Sequence, residues 1–242
     1  AKAIIAKTNL LVQTYSGSVE LLDLDLSDLR QVKRAVTELN SKFDRLDLLV
    51  NNAGLMAPPY TLSKQGLEIQ FAVNHLSHMM LTLLLLPLLS QVLGSRVVTV
   101  SSGAQYMGKI NWEDLQGKEK YDRWAAYSQS KLANVMFALE LDKRLRHAGN
   151  TVSSLVAHPG LARTNLQATS IEANNAWQES VVYKLMGPLF QSASMGALPQ
   201  LLAATSPKAQ SGEQYGPRFN LRGYPKLCKI APLALNLNER ER

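Results

Sequence analysis

An α/β fold built on a doubly wound parallel sheet, with helices on both faces, is what this chain of 242 residues predicts. Two observations carry the expectation. Short apolar runs alternate along the chain with stretches whose apolar positions recur at helical spacing. The run at 96–100 is rich in β-branched residues, which suits a parallel strand covered on both sides, and 46–50 and 151–156 read as further strands. Recurrent strand, helix, strand units then imply right-handed crossovers around one layered core.

Taken in order, residues 1–11 carry a helical pattern and 19–24 an apolar run read as a strand. A helix follows over 29–43, with Val32, Ala35, Val36 and Leu39 on one face and Ser27 or Asp28 as its N-cap. The strand 46–50 ends in the tight Asn51-Asn52-Ala53-Gly54 turn, and a long helix occupies about 71–89. Its most apolar part, 79–89, is shorter than the ~20 residues needed to cross a bilayer. Pro87 also interrupts it, so it reads as a buried helix and no membrane span is expected.

The strand 96–100 leads to a loop ending near Ala126. A helix then runs to Arg146, with Leu132, Val135, Met136, Leu139 and Leu145 on one side, before the strand 151–156. Residues 165–193 are irregular and read either as a substrate-covering flap or as an exposed crossover. A helix at about 196–204 resumes the pattern, and segments containing Pro and Gly follow Pro207 without a clear final helix. With no repeat or linker, one domain over 1–242 is expected.

Composition narrows the function classes. The chain is 46% hydrophobic and 19% charged, ordinary for a globular domain, and its net charge of +7 is spread among acidic residues with no basic arm for nucleic acid. A single cysteine, Cys228, excludes a disulfide framework and a cysteine-rich metal site, so no metal is expected and a reducing, cytoplasmic setting fits.

Tyr127 and Lys131 are four apart on a predicted helix and share a face. A free phenol, with a pKa near ~10, is a poor base at neutral pH, and a neighbouring ammonium is expected to lower that value. Such a pair on a solvated surface would mean little. Here Ser101 and Ser102 end a predicted strand, and Asn51 to Gly54 and His158-Pro159-Gly160 end two others, so four segments converge where open α/β sheets hold their ligands.

The order of Asn51-Asn52-Ala53-Gly54, Asn74, Ser102, Tyr127-x-x-x-Lys131 and Pro159-Gly160-x-x-x-Thr164 resembles the short-chain dehydrogenase/reductase family and its Rossmann-like fold. Phe71-Ala72-Val73-Asn74-His75-Leu76, Leu115-Gln116-Gly117 and the long interval from Ser102 to Tyr127 resemble its retinol dehydrogenase-like and protochlorophyllide reductase-like branch, the former in particular. The protochlorophyllide reductase pattern has a cysteine after the lysine, where this chain reads Leu132-Ala133-Asn134, and ranks below.

The resemblance implies an oxidoreductase that moves a hydride between NADP(H), or alternatively NAD(H), and a carbonyl or alcohol. Tyr127 would exchange the proton, Lys131 hold the nicotinamide ribose, Ser102 fix the carbonyl oxygen and Asn74 support a water leading from Lys131 to solvent. Asn74 could instead be a buried polar residue at a helix irregularity. Asp25 and Leu26 would meet the adenine, though Asp25 also reads as a plain strand-end cap. Asn52, Ala53 and Gly54 would line the ribose; Pro159, Gly160, Leu161, Ala162 and Thr164 would cover the nicotinamide. His158 reads as structural. A homodimer through paired helices at 71–89 and 127–146 is implied by many family members, while others are monomers.

Two departures accompany the resemblance. The family's opening strand, glycine-rich turn and second strand have no counterpart, so residues 1–11 read as the next helix and an upstream segment of roughly forty residues is expected. Without it the selector of NAD or NADP is missing, and a truncated, inactive homologue acting as a binding or scaffold protein is the competing expectation. The closing helix after Arg242 is expected too. Val181, Val182, Tyr183, Leu185, Met186, Leu189 and Phe190 point to a lipophilic small-molecule aldehyde, ketone or alcohol, or else to ordinary helix packing.

Overall fold

The structure, a computed structural model, describes residues 17–163 and 187–240 together with Lys7, Ser170 and Asn174. In chain order it comprises α1 (Leu29–Lys42), β1 (Leu48–Asn51), a π-helical turn (Phe71–Leu76) running into α2 (Ser77–Leu89), and β2 (Arg96–Val100). A 3-10 turn (Gly103–Met107) precedes α3 (Arg123–His147) and β3 (Ser153–Ala157). A short 3-10 turn (Gly187–Leu189), α4 (Ala193–Thr205), β4 (Gln214–Pro217), β5 (Pro225–Leu227), α5 (Pro232–Leu235) and α6 (Leu237–Arg240) complete the described chain.

The strands lie in the order β1-β2-β3-β4-β5. The first four are parallel and β5 returns antiparallel beside β4. Because side chains alternate across a strand, neighbouring residues of β2 serve different layers. Val97 packs with Leu89, Leu141 and Leu145 under α2 and α3, whereas Val98 packs with Leu155, Ala157 and Ala203 under α4. Both valines are fully buried, each contributing roughly 1.5–3 kcal/mol relative to exposure. This is the two-faced α/β sheet that the alternating pattern foretold.

α1 begins where its polar cap dictates. Asp28 accepts from the Arg30 N–H at 3.0 Å and from Gln65 Nε2 at 2.8 Å, and these partners with the Arg30 guanidinium hold its carboxyl well below the usual range. Val32 and Val36 then meet Leu81 and Leu85 of α2.

Several expectations are corrected. Residues 19–24 form no strand: their apolar character is real, but a strand exists only with a ladder partner, and none stands beside them among the described residues. The helix carrying Tyr127 starts earlier, at Arg123, because Asp122 accepts the Ala125 N–H at 2.7 Å as its N-cap. The apolar helix is continuous from Phe71 to Leu89 with Pro87 inside it. At 19 residues with a mean hydropathy of 1.5, it is long and apolar enough to cross a membrane by length and composition alone. It packs here against α1 and α3.

The chain after Pro207 also holds more than was expected. Gln214-Tyr215-Gly216-Pro217 has no β-branched residue, yet it forms β4 because the free edge of β3 receives it: the His158 N–H donates to the Tyr215 carbonyl at 2.9 Å. Glycine is required there, since a Cβ at Gly216 would lie 2.1 Å from His158 Nε2. The helical pattern of 1–11, Thr164 and most of the expected flap at 165–193 fall outside the described residues.

One carbonyl ties distant segments together. Ala57, fully buried at φ 46°, points its oxygen at Arg123 Nη1 (3.2 Å), Asn174 Nδ2 (2.8 Å) and Ser170 Oγ (3.4 Å). Its N–H donates to Gln70 Oε1 at 2.8 Å.

Candidate active site

Parallel pairing aligns the strand ends. Leu48, Arg96 and Ser153 stand in register, so Asn51 to Gly54, Ser101-Ser102 and His158 to Ala162 all emerge at the carboxyl edge of the sheet. α3 is fastened to this edge by its own polar groups. Ser101 Oγ donates to the Lys131 carbonyl at 2.8 Å, and Asn134 Nδ2 reaches the Val100 carbonyl at 3.3 Å.

That docking buries α3 from Tyr127 to Met136, while its first turn stays partly exposed. Tyr127 and Lys131 are each 5% exposed, and the Lys131 ammonium lies over the Tyr127 ring, 5.8 Å from its centroid. The Ser102 side chain lies beside the phenol and favours its ionised form. Tyrosine, serine and lysine therefore lie at one place on the sheet's carboxyl edge.

Their electrostatics differ from the expectation. Burial pushes the Tyr127 phenol up, only partly offset by the bond to Ser102, and burial lowers Lys131 to about 8. The expected depression of the phenol by the ammonium is absent because the cation sits over the ring face and desolvation opposes charge on both groups.

The ammonium is also short of partners. It has three N–H bonds to donate, and among the described residues its hydrogen-bond acceptor is the Val100 carbonyl at 3.4 Å. A buried cation with donors to spare fits a ligand rich in hydroxyl groups. Gly54 gives it room, for a Cβ there would lie 2.9 Å from Asn74 Oδ1 and 3.4 Å from Lys131 Nζ.

Asn74, fully buried, sits in the π-helical turn. Its Oδ1 accepts from the Leu55 N–H at 2.7 Å, while its Nδ2 donates to the Leu55 carbonyl at 3.0 Å and to Ser130 Oγ at 2.9 Å. The side chain thus clamps the loop after β1 onto α3. Its backbone carbonyl accepts from His78 Nδ1 at 3.1 Å. Asn74 is, as the plainer reading had it, a buried polar residue at a helix irregularity.

The cofactor candidates divide by surroundings. Asn52 and Ala53 are exposed beyond β1. Gly160, at φ 64°, makes the turn after β3, and a Cβ there would come 2.4 Å from the Leu221 carbonyl. Leu161 donates its N–H to that same carbonyl at 2.6 Å, and Ala162 is buried and bridges to Gln191. Asp25 is exposed and its carboxylate accepts the Ser27 N–H at 2.8 Å, a local turn bond rather than a strand-end cap, since no strand precedes it among the described residues. The Leu26 carbonyl accepts from Ser77 Oγ at 2.6 Å.

Sequence reasoning gave no separate role to Ser101, Ser130, Asn134 or His78, all buried around Lys131 or Asn74. Polar residues on the inward faces of α2 and α3 were the available signal for the last three. The branch-specific Gln116 also has a local task, as its Oε1 accepts the Glu68 N–H at 2.7 Å and ties the long loop before α3 to the turn preceding Phe71.

The model of the family described as short chain dehydrogenase matches residues 3–175. The chain belongs to this family. Among curated proteins it is similar to retinol dehydrogenase 14 of Mus musculus, 47% identical over 150 residues covering 62% of this chain and 44% of the mouse protein. Retinol dehydrogenase 14 of Homo sapiens is 39% identical over 213 residues, covering 83% of this chain and 60% of the human protein. These likenesses set the chain in the retinol dehydrogenase-like branch, and it spans about half the length of the curated relatives it matches.

Among solved structures, an uncharacterised protein from Mycobacterium paratuberculosis superposes with a TM-score of 0.75 at 38% identity, over 98% of this chain and 76% of that one. An RhlG/NADP active-site complex from Pseudomonas aeruginosa aligns at a TM-score of 0.62 and 23% identity, over 90% and 82%, and shares the fold.

Proposed function

We propose that this short-chain dehydrogenase interconverts a carbonyl and an alcohol with NADP(H), or NAD(H), as hydride carrier. The observation that supports it is the grouping of the Tyr127 phenol, the Ser102 hydroxyl and the under-partnered Lys131 ammonium at one strand edge. When bound, the nicotinamide gives a hydride to the carbonyl carbon or accepts one from the alcohol.

The protein's own groups handle the oxygen and its proton. Ser102 donates a hydrogen bond to the carbonyl oxygen and stabilises the charge that develops there. Tyr127 delivers its proton to the alkoxide, or takes the alcohol proton in reverse. A phenol pushed up by burial is well suited to the first direction, since it stays protonated at neutral pH. Lys131 holds the ribose hydroxyls with its spare N–H bonds, Asn74 keeps the loop after β1 in place, and Asn52 to Gly54 and Pro159 to Ala162 line the carrier. Relatives named for retinol make a lipophilic aldehyde, ketone or alcohol the proposed substrate class.

The test is turnover of a panel of retinoid, steroid and aliphatic carbonyls with NADPH and NADH in the intact protein. Activity on at least one, lost in Tyr127→Phe while cofactor fluorescence titration is unchanged, supports the reading. Absence of cofactor binding would favour the scaffold alternative.

A further inference from the structure

We infer that the hairpin tip between β4 and β5 docks the protein onto an anionic membrane surface beside the candidate active site. β4 runs parallel to β3, so its end and the tip that follows project from the same carboxyl edge as Ser102 and Gly160. The tip is joined through backbone to the turn after β3, with the Leu161 N–H donating to the Leu221 carbonyl at 2.6 Å, and the Gly223 N–H donates to the side-chain Oε1 of Gln191 ahead of α4 at 2.9 Å.

The tip and the adjoining β5 expose large apolar side chains. Phe219 is 70% exposed, Tyr224 75%, Leu221 47% and Leu227 56%, four large apolar side chains within nine residues. Soluble surfaces seldom gather apolar groups this closely without a partner. Among them stand Arg218 and Lys226, exposed, with the Arg218 guanidinium 5.7 Å from the Phe219 ring centroid.

Charge selects the partner. No acidic residue occurs from Tyr215 to Asn238, although the chain as a whole mixes both signs. Exposed aromatics that carry basic neighbours match the boundary between headgroups and acyl chains: rings enter the apolar layer while cations meet lipid phosphate and carboxylate. A second copy of this chain would present the same positive charge and repel. Docking in this way would set the mouth of the cleft at the lipid surface, where a lipophilic substrate resides, so that consequence rests on the proposed function. The docking itself does not.

Co-flotation of the 242-residue protein with vesicles of phosphatidylcholine and phosphatidylserine, against phosphatidylcholine alone, tests it without any activity readout. Preferential binding to the anionic vesicles is expected. Phe219→Ser with Tyr224→Ser should weaken it at least about tenfold. Arg218→Gln and Lys226→Gln should each cost about fivefold. A Tyr224→Trp variant should add a blue-shifted emission, absent from the parent, that brominated lipid quenches. Circular dichroism and melting confirm that each variant is folded. Equal binding to both vesicle types, unchanged binding by the serine and glutamine variants, or added Tyr224→Trp emission that brominated lipid leaves unquenched on bound vesicles would overturn the inference. So would self-association in sedimentation that the same substitutions abolish while vesicles remain unbound.

Discussion

At Lys131 a buried position and a charged role act on one proton. Its pKa near 8 means that the ammonium is present below that pH and lost above it, so cofactor affinity should weaken as pH rises past about 8. Fluorescence titration of NADPH across pH 6.5–9.5 measures this, and Lys131→Arg, which stays charged, should flatten the profile. His78 and His158 act in the opposite range. Burial lowers both to about 4 from 6.5, so the unfolded chain binds more protons between those values and stability should fall as pH drops from 6.5 toward 4. Urea midpoints measured across that window should decline, and less steeply in His158→Phe. At Gly54 an added methyl would press on Asn74 Oδ1 and approach Lys131 Nζ; Gly54→Ala should cut turnover at least about tenfold while melting within a few degrees of the parent.

At the scale of elements, the π-helical turn matters more than its six residues suggest. It places Asn74 where one amide side chain holds Leu55 and Ser130 together, and Asn74→Ala would leave a partly buried N–H and carbonyl of Leu55 unmatched. A loss of roughly 2 kcal/mol in denaturant unfolding is expected, with turnover falling as well. The strands β1, β2 and β3 and the helix α1 were legible in the sequence because their apolar patterns are strong and the α1 cap is conventional; the body of α3 was legible but its start was not, since its Asp122 cap stands in what reads as a loop. Tyr127, Lys131 and Ser102 were legible because spacing and strand ends converge. The π turn was legible only as an irregularity at Asn74, since the helix that follows is apolar on every side and has no stripe whose phase an extra residue could shift. β4 was not legible, since its Gly and Pro argue against a strand until the His158 ring and the free edge of β3 supply the reason for them. The state of the phenol was misjudged because a spacing rule says nothing about desolvation.

Across the whole molecule the two faces of the sheet are unequally covered. α1, α2 and α3 close one side, while α4 covers the other chiefly over β2 to β4. Leu48 and Val50 share that second face with Val98, yet they remain 37% and 39% exposed and the outer edge of β1 is unpaired among the described residues. Such an edge invites pairing with other chains. Leu48→Thr with Val50→Thr should therefore reduce light scattering of the 242-residue protein at high concentration while lowering its melting temperature little; Val98→Thr, fully buried, should instead destabilise by about 1–3 kcal/mol.

A carbonyl oxygen offers two lone pairs, and the one on Ala57 faces three donors that come from α3 and from residues 170 and 174. Three claimants for two places cannot all be well served at once. One of them can leave and be replaced by another without the oxygen ever standing bare, so rearrangement at this junction carries a smaller penalty than breaking an exclusive bond would. The backbone held at a positive φ keeps the oxygen aimed at the junction whichever of the three it serves.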